Sequence, residues 1–113
     1  MSDDIRTARL VRAARRGDEE AFRQLLDDHR EAITSTLVAC GVRRSDTAQD
    51  LAQDTALKAW SNLGSLRDPS AFSPWVRQIA ANMARDFLRR LATRREDAMD
   101  LFPEVADETT PLA

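Results

Sequence analysis

Apolar residues recur every three or four positions along most of this chain, which is the spacing of one face of an α-helix. The clearest run covers residues 75–91, and the same period occurs in residues 3–16, 18–40 and 46–63. Charged and amide side chains occupy the other positions of each segment. The pattern predicts four amphipathic helices that bury their apolar sides against one another, so the expected fold is an all-α, compact four-helix bundle.

The residues predicted to face the core share this helical spacing. Helix by helix they are Ile5, Leu10, Val11 and Ala14; Phe22, Leu25, Leu26, Ile33, Leu37 and Cys40; Ala48, Leu51, Ala52, Thr55, Ala59, Trp60 and Leu63; and Trp75, Val76, Ile79, Ala80, Met83, Ala84, Phe87, Leu88 and Leu91. His29 fills a gap in the second set. We interpret it as an amphipathic ring at the edge of the core, because nothing around it resembles a catalytic or metal-binding partner.

Capping residues separate the first three predicted helices. Gly17 ends the first helix. Asp18 is a good N-cap for the second, because its carboxylate can accept a hydrogen bond from a free backbone N–H of the first turn. Gly41 fits the position that follows the end of this helix. Ser45 is the predicted N-cap of the third helix.

A loop is predicted between the third and fourth helices. Residues 64–72 read GSLRDPSAF and contain the helix breakers Gly64 and Pro69. Ser73 is then the predicted N-cap of the last helix. Pro74 would be its first residue, where the missing N–H of a proline costs nothing.

Charge is distributed unevenly along the chain, although its net value is only −2. Residues 1–95 contain all 17 basic residues and 13 acidic ones, whereas residues 96–113 contain six acidic residues and no basic one. We therefore predict a net-basic helical domain over residues 1–95. An acidic linker or flexible, disordered tail is predicted over residues 96–113.

Composition also excludes several classes of protein. Cys40 is the only cysteine, so no intramolecular disulfide or cysteine-based metal site can form. No run approaches the roughly 18 apolar residues of a membrane span, and the start MSDDIRTARL has no signal-peptide apolar segment, so a cytoplasmic protein is expected. There is no phosphate-binding glycine loop and no nucleophile beside a base. We expect no enzymatic activity, no cofactor and no metal ion.

The last predicted helix carries a polar stripe of amide and guanidinium side chains. The stripe consists of Gln78, Asn82, Arg85 and Arg89, and its charge is extended by Arg90, Arg94 and Arg95. Such side chains bond to base edges and phosphates in protein–DNA complexes. From composition alone, a solvated helix face explains the stripe about equally well.

Three blocks of the sequence resemble the extracytoplasmic-function (ECF) sigma factors of bacterial RNA polymerase. DLAQDTALKAW, from Asp50 to Trp60, is similar to their region 2.2, usually DLVQETFLRAW. FSPWVRQIAANMARDFLRR resembles region 2.4, with a tryptophan, an asparagine seven residues later and an aspartate four beyond it, here Trp75, Asn82 and Asp86. LVRAARRGDEEAFRQLLDDHR resembles region 2.1. The resemblance covers residues 10–95 without a gap.

The resemblance implies a sigma region 2 domain that acts in transcription initiation without catalysing a reaction. Its first expected partner is RNA polymerase core, through the clamp helices of the β′ subunit. The residues expected to bind the polymerase are Asp50, Gln53, Asp54 and Lys58. Its second expected partner is promoter DNA, as the single non-template strand of the −10 element. The residues expected to bind DNA are Arg67, Asp68 and Ser70 in the loop, and Gln78, Asn82, Arg85, Arg89 and Arg90 in the last helix.

The loop and the polar stripe follow one another in sequence, so they are expected to share one surface. An anti-sigma factor is a further partner that the resemblance allows. The family commonly has aromatic residues at the positions of Leu26, His29 and Ala56, and an arginine at that of Gln78. The helix-turn-helix region 4 is missing, which favours a fragment of a longer factor over a lone region 2 protein.

Two alternative functions stay open at this point. The chain could be a helical interaction module that binds polymerase or another protein without reading DNA. Alternatively, Asp50 and Asp54 could form half of a carboxylate metal site in a small bundle enzyme. The second alternative is disfavoured, because His29 is the only histidine and no Glu-x-x-His motif is present.

Overall fold

The computed structural model describes the backbone of residues 2–101 and the side chains of residues 3–96. Four α-helices and two short 3-10 turns account for most of it, which confirms the predicted all-α bundle. The helices are α1 (Ser2–Arg15), α2 (Glu19–Ala39), α3 (Ser45–Asn62) and α4 (Phe72–Leu101), and the 3-10 turns are Leu63–Ser65 and Pro69–Ala71. None of the helices described is long and apolar enough to cross a membrane.

Helix α2 lies at the centre of the bundle and packs against each of the other three helices, whereas α1 and α4 contact one another only slightly. Leu25 and Leu37 of α2 are fully buried, as are Val11 of α1 and Val76 of α4. Burying a side chain of this size contributes about 1.5–3 kcal/mol relative to leaving it in water. The amphipathic stripes are therefore the main source of the fold, as their spacing predicts.

The turns around α2 form as predicted. The Asp18 carboxylate accepts a hydrogen bond from the backbone N–H of Ala21 at 3.1 Å, which makes it the N-cap. Gly41 follows the helix with a φ of +112°. A Cβ at this position would also lie 3.2 Å from Cδ1 of Leu88 in α4. Both the backbone conformation and the close approach of α4 therefore favour glycine at residue 41.

Two residues predicted to face the core are exposed instead. Ile5 is 69% exposed, because α1 turns its buried side toward Thr7, Ala8 and Val11. Trp60 is 39% exposed, because its ring packs on Phe22 at the rim of the core and not inside it. The prediction for His29 is confirmed: its ring is buried, its Nδ1 lies 2.8 Å from the carbonyl oxygen of Leu25, and its edge meets the ring of Phe72.

The two predicted serine caps are wrong. Helix α3 begins at Ser45, and Arg44 occupies the cap position without a side-chain hydrogen bond to the helix. Helix α4 begins at Phe72, before Ser73, because the Pro69–Ala71 turn leads directly into it. Pro74 therefore lies inside the first turn of α4, where backbone N–H groups have no partner within the helix and a proline is tolerated.

Helix α4 extends further than its apolar period predicts. It continues past residue 91 to Leu101, so residues 96–101, the beginning of the predicted acidic tail, are helical. Ala92, Thr93 and Arg94 are exposed, so residues 92–96 of this extension are solvated and not part of the core. Residues 102–113, the rest of the predicted tail, lie outside the described part of the chain.

Candidate functional site

The outer face of α3 carries the first group of candidate residues. Asp50, Gln53, Asp54 and Lys58 occupy positions i, i+3, i+4 and i+8, so they form one stripe along the helix, and all four are exposed. The opposite side of α3 anchors this stripe, because Ala48, Leu51, Thr55 and Ala59 are buried. Among the side chains of residues 3–96, the charged groups of Asp50, Asp54 and Lys58 form no ion pair. They are therefore available to a partner.

An apolar groove lies beside this stripe, between α2 and α3. It has a volume of about 300 Å³. Its lining residues are Glu19, Phe22, Leu26, Gln53, Ala56, Leu57 and Trp60. Leu57 is 62% exposed, and the rings of Phe22 and Trp60 have centroids 4.8 Å apart. A second depression, of about 230 Å³, shares Leu26, Gln53 and Ala56 with the first, so the groove continues past Gln53.

Sequence reasoning missed this groove. Leu57 lies outside the apolar stripe of α3, and the stripe itself led to Trp60 being placed in the core. The available signal was Leu57 itself, an apolar side chain on the polar side of an amphipathic helix. A surface of exposed leucine and tryptophan beside polar groups is typical of a site of protein–protein contact.

The segment 64–72 is a structured loop that contains the second group of candidates. Leu66 and Phe72 are buried and anchor it to the core. Between them, the Asp68 carboxylate accepts hydrogen bonds from the backbone N–H of Ser70 at 3.0 Å and from its hydroxyl at 2.7 Å. These two bonds hold the pKa of Asp68 below its ordinary value. Arg67 is exposed. Asp68 and Ser70 thus stabilise the turn, and their outer surfaces stay accessible.

Helix α1 is the main neighbour of this loop. The Pro69–Ala71 turn packs mainly against α1 and makes fewer contacts with α4. At the start of the loop, Nε of Arg15 donates a hydrogen bond to the carbonyl oxygen of Leu63 at 3.3 Å. The positive charge of Arg12 contributes, after the Ser70 hydrogen bonds, to the lowered pKa of Asp68. Sequence reasoning assigned no such role to α1, because these contacts join residues far apart in the chain.

The polar stripe of α4 forms a connected network centred on Asn82. Its Oδ1 atom accepts hydrogen bonds from Nε2 of Gln78 and from Nη1 of Arg85, both at 3.2 Å. All three side chains are exposed. The amide nitrogen of Asn82 donates no hydrogen bond within residues 3–96. The network therefore keeps free amide and guanidinium donors on one helix face.

Asp86 binds the arginines at the C-terminal end of this stripe. Its carboxylate pairs with Arg89, and its carbonyl oxygen accepts a hydrogen bond from Nε of Arg90 at 3.3 Å. Asn82, Arg85, Asp86 and Arg89 together line an open hollow of about 440 Å³. Asp86 was not among the candidate binding residues, although its i,i+3 spacing to Arg89 indicated the ion pair. Arg85 is thus the candidate arginine of the hollow that has no carboxylate partner within residues 3–96.

Within residues 3–96, no side-chain hydrogen bond or ion pair joins Arg67, Asp68 or Ser70 to the network. The same part of the chain contains no cluster of three metal-ligating side chains, so no position for a metal ion is assigned.

The sequence of the chain is similar to those of known proteins. The family model described as Sigma-70 region 2 matches residues 25–95. This span includes all the candidate residues of α3, of the loop and of α4. It leaves out α1 and the beginning of α2.

Individual relatives match a longer part of the chain. RNA polymerase sigma factor NccH of Alcaligenes xylosoxydans xylosoxydans is 36% identical over 89 residues, which cover 79% of this chain and 47% of the relative. ECF RNA polymerase sigma-E factor of Escherichia coli K12 is 34% identical over 88 residues, 78% of this chain and 45% of the relative. Probable RNA polymerase sigma factor RfaY of Xanthomonas campestris is 33% identical over 97 residues, 84% of this chain and 24% of the relative. The chain thus spans a quarter to a half of the length of these relatives.

Proposed function

This chain belongs to the Sigma-70 region 2 family, and from that premise we propose that it docks on RNA polymerase core and captures the single non-template strand of the promoter −10 element. The observation that carries the proposal is that the 25–95 match contains three surfaces that the fold leaves exposed: the α3 stripe, the loop and the α4 network. The exposed side chains of these surfaces take no part in the core. Surface groups that the fold does not use are available for a partner.

The α3 stripe and the adjoining groove form the proposed polymerase contact. Asp50 and Asp54 supply negative charge that complements a basic partner surface, which speeds encounter and sets orientation. Leu57 and Trp60, which lie on the same helix and line the groove with Gln53, supply apolar area. Apolar area at the centre and charge at the edge is the usual composition of a protein interface. The β′ clamp helices are the proposed partner, and a polymerase partner implies a cytoplasmic location.

The loop and the α4 network form the proposed strand contact. A single strand offers unstacked bases and a phosphate chain. Extruding one base costs a few kcal/mol, which the protein contacts must offset. The loop, fixed by Asp68 and Ser70, can receive an extruded base, and Arg85 can contact phosphates. These steps make and break no covalent bond, so the proposed role is binding and not catalysis.

The test is strand binding by the complex of the chain with polymerase core. Fluorescent non-template −10 strands, matched and singly mismatched, are titrated against the complex. We expect matched strands to bind more tightly than mismatched ones. Arg67→Ala should reduce the difference in binding free energy between matched and mismatched strands at one position by roughly 1–3 kcal/mol. Arg43→Ala, an exposed arginine in the α2–α3 connection, is the control. Equal binding of matched and scrambled strands by the wild-type complex would overturn the proposal.

A second candidate function is an interaction module that binds a protein without reading DNA. The apolar groove between α2 and α3 is the observation that favours it, and an anti-sigma factor is one such partner. Strand binding by the wild-type complex separates the two functions, and Leu57→Ser, an exposed change that leaves the core intact, tests the protein contact that both functions share. The module predicts that this change abolishes the only activity, protein binding. The sigma function predicts sequence-dependent strand binding in addition.

A further inference from the structure

Helix α1 carries a second exposed stripe of arginines. Arg9, Arg12 and Arg16 follow the exposed Ile5 at i+4, i+7 and i+11, so the four residues share one side of the helix and its C-terminal end. This spacing equals that of Gln78, Asn82, Arg85 and Arg89 in α4. Residues 9–16 contain four arginines and no acidic residue. The end of α1 is therefore one of the most basic surfaces of the bundle.

The arginines of this α1 stripe are among those that have no ion-pair partner within residues 3–96. Arg6, Arg23, Arg30, Arg44 and Arg89 each form an ion pair with an aspartate or glutamate. Arg9, Arg12 and Arg16 form none with any side chain of residues 3–96. Nearby acids are used elsewhere: Asp18 caps α2, and Glu20 pairs with Arg23. No ion pair within the described residues therefore occupies these three guanidinium groups, although the charge of Arg12 also acts on Asp68.

The position of the stripe indicates which anion it meets. The Pro69–Ala71 turn packs mainly against α1. Arg12 is close enough to Asp68 for its charge to act on that carboxylate, and Arg15 is bonded to the first residue of the connection, Leu63. A strand whose base enters the loop must leave it over a neighbouring surface, and α1 is the neighbour with which the turn makes most contact.

We infer that Arg9, Arg12 and Arg16 bind phosphates of the DNA strand that the loop holds, as a continuation of the strand path across α1. The inference rests on the proposed function. It does not come from the family match, which begins at residue 25. The three arginines span roughly 10 Å along the helix axis at 1.5 Å per residue, enough for at least two successive phosphates.

The first test compares two double variants of the full chain bound to polymerase core. Arg9→Gln/Arg16→Gln removes two charges from the α1 stripe. Arg23→Gln/Arg30→Gln removes two charges from α2 that are also exposed, and it is the control. Strand affinity is measured at several salt concentrations. We expect the plot of log affinity against log salt concentration to become shallower by about 1.4 for the α1 variant, since each lost phosphate contact removes about 0.7 from the steepness. For the control, the slope should stay unchanged.

A second test locates the phosphates. Strands that carry one neutral methylphosphonate linkage at a time are titrated against both complexes. In the wild type, neutralising the contacted phosphates weakens binding, and we expect the Arg9→Gln/Arg16→Gln variant to have lost its sensitivity at those same linkages. Equal sensitivity in both proteins overturns the inference, as does a loss of affinity for polymerase core with an unchanged salt slope, which would make the stripe a protein contact. If the wild-type complex binds no strand, the proposed function fails instead.

Discussion

Nε of Arg15 in α1 donates a hydrogen bond to the main-chain carbonyl oxygen of Leu63 at 3.3 Å and thereby joins the first helix to the start of the loop. The two residues are 48 positions apart in sequence. Leu63 is buried and caps the end of α3, so this bond also fixes the point at which the chain leaves the helix. The geometry of the proposed strand site therefore depends on a helix that contains none of the predicted site residues.

Replacing Arg15 with Ala is expected to loosen the loop. A hydrogen bond of this kind contributes about 0.5–1.5 kcal/mol, and the loss should be local because α1 keeps its buried side. Hydrogen exchange at the backbone N–H groups of Ser70 and Ala71, followed by NMR, measures the effect. Arg16→Ala is the control, because Arg16 makes no contact with the loop among the hydrogen bonds described. Unchanged exchange in the Arg15 variant would show that the bond does not hold the loop.

Order in the loop should depend on pH through Asp68. The hydrogen bonds from Ser70 lower the pKa of this carboxyl group, so the folded turn favours the ionised form. The resulting stabilisation is present above the pKa of an unperturbed Asp, about 3.9, and is lost as the pH falls through the lower folded value. Asp68→Asn keeps an oxygen acceptor but cannot ionise. In the wild type, the protection of the loop N–H groups against hydrogen exchange, relative to their intrinsic exchange rates, should therefore fall below about pH 4. The variant should show no such step.

Reversing the charge of Asp54 is expected to weaken binding to polymerase core by about tenfold or more, because a like charge then faces a basic partner surface. The side chain is exposed, so the helical circular dichroism should not change. Glu31→Arg reverses an exposed charge on α2 and serves as the control. Affinity for core is measured by fluorescence anisotropy. If both variants bind core equally well, the α3 stripe is not the contact.

Arg85 and Arg89 are expected to contribute unequally to strand binding. Arg89 already pairs with Asp86, whereas Arg85 bonds only to the neutral Asn82. Arg85→Ala should therefore lower the salt slope by about 0.7, and Arg89→Ala by less. Asp86→Asn should strengthen strand binding, because it frees Arg89 and removes a negative charge. Salt titrations of strand binding measure the slope for each of the three variants. A larger change for Arg89→Ala than for Arg85→Ala would contradict the prediction.

The two glycines with positive φ should differ in how much they stabilise the fold. An alanine at Gly17 or at Gly41 must adopt a left-handed conformation, at a cost of roughly 1–2 kcal/mol. Only at residue 41 does the new methyl group also press on Leu88, at 3.2 Å. Gly41→Ala should lower the free energy of unfolding more than Gly17→Ala in urea denaturation. Equal losses would mean that Leu88 moves aside freely.

The sequence by itself determined the local features of this protein. These features are the four helices, the Asp18 cap and the glycine after α2. They depend on interactions within a few residues, so residue spacing and residue type are enough to predict them. The exposure of Asp50, Gln53 and Asp54 follows in the same way, because polar residues opposite an apolar stripe must face water. The family resemblance was also visible, since it consists of short ordered blocks.

Only the tertiary structure decided which surfaces lie together. The exposure of Ile5 and Trp60, the groove beside Gln53 and the packing of the loop on α1 depend on how helices distant in sequence are oriented around α2. The helical period of apolar residues shows which face of a helix is buried. It does not show how much of that face the neighbouring helices cover. Adjacency in sequence suggested the α4 network as a neighbour of the loop, and packing adds α1, which the Pro69–Ala71 turn contacts most and whose Arg12 acts on Asp68.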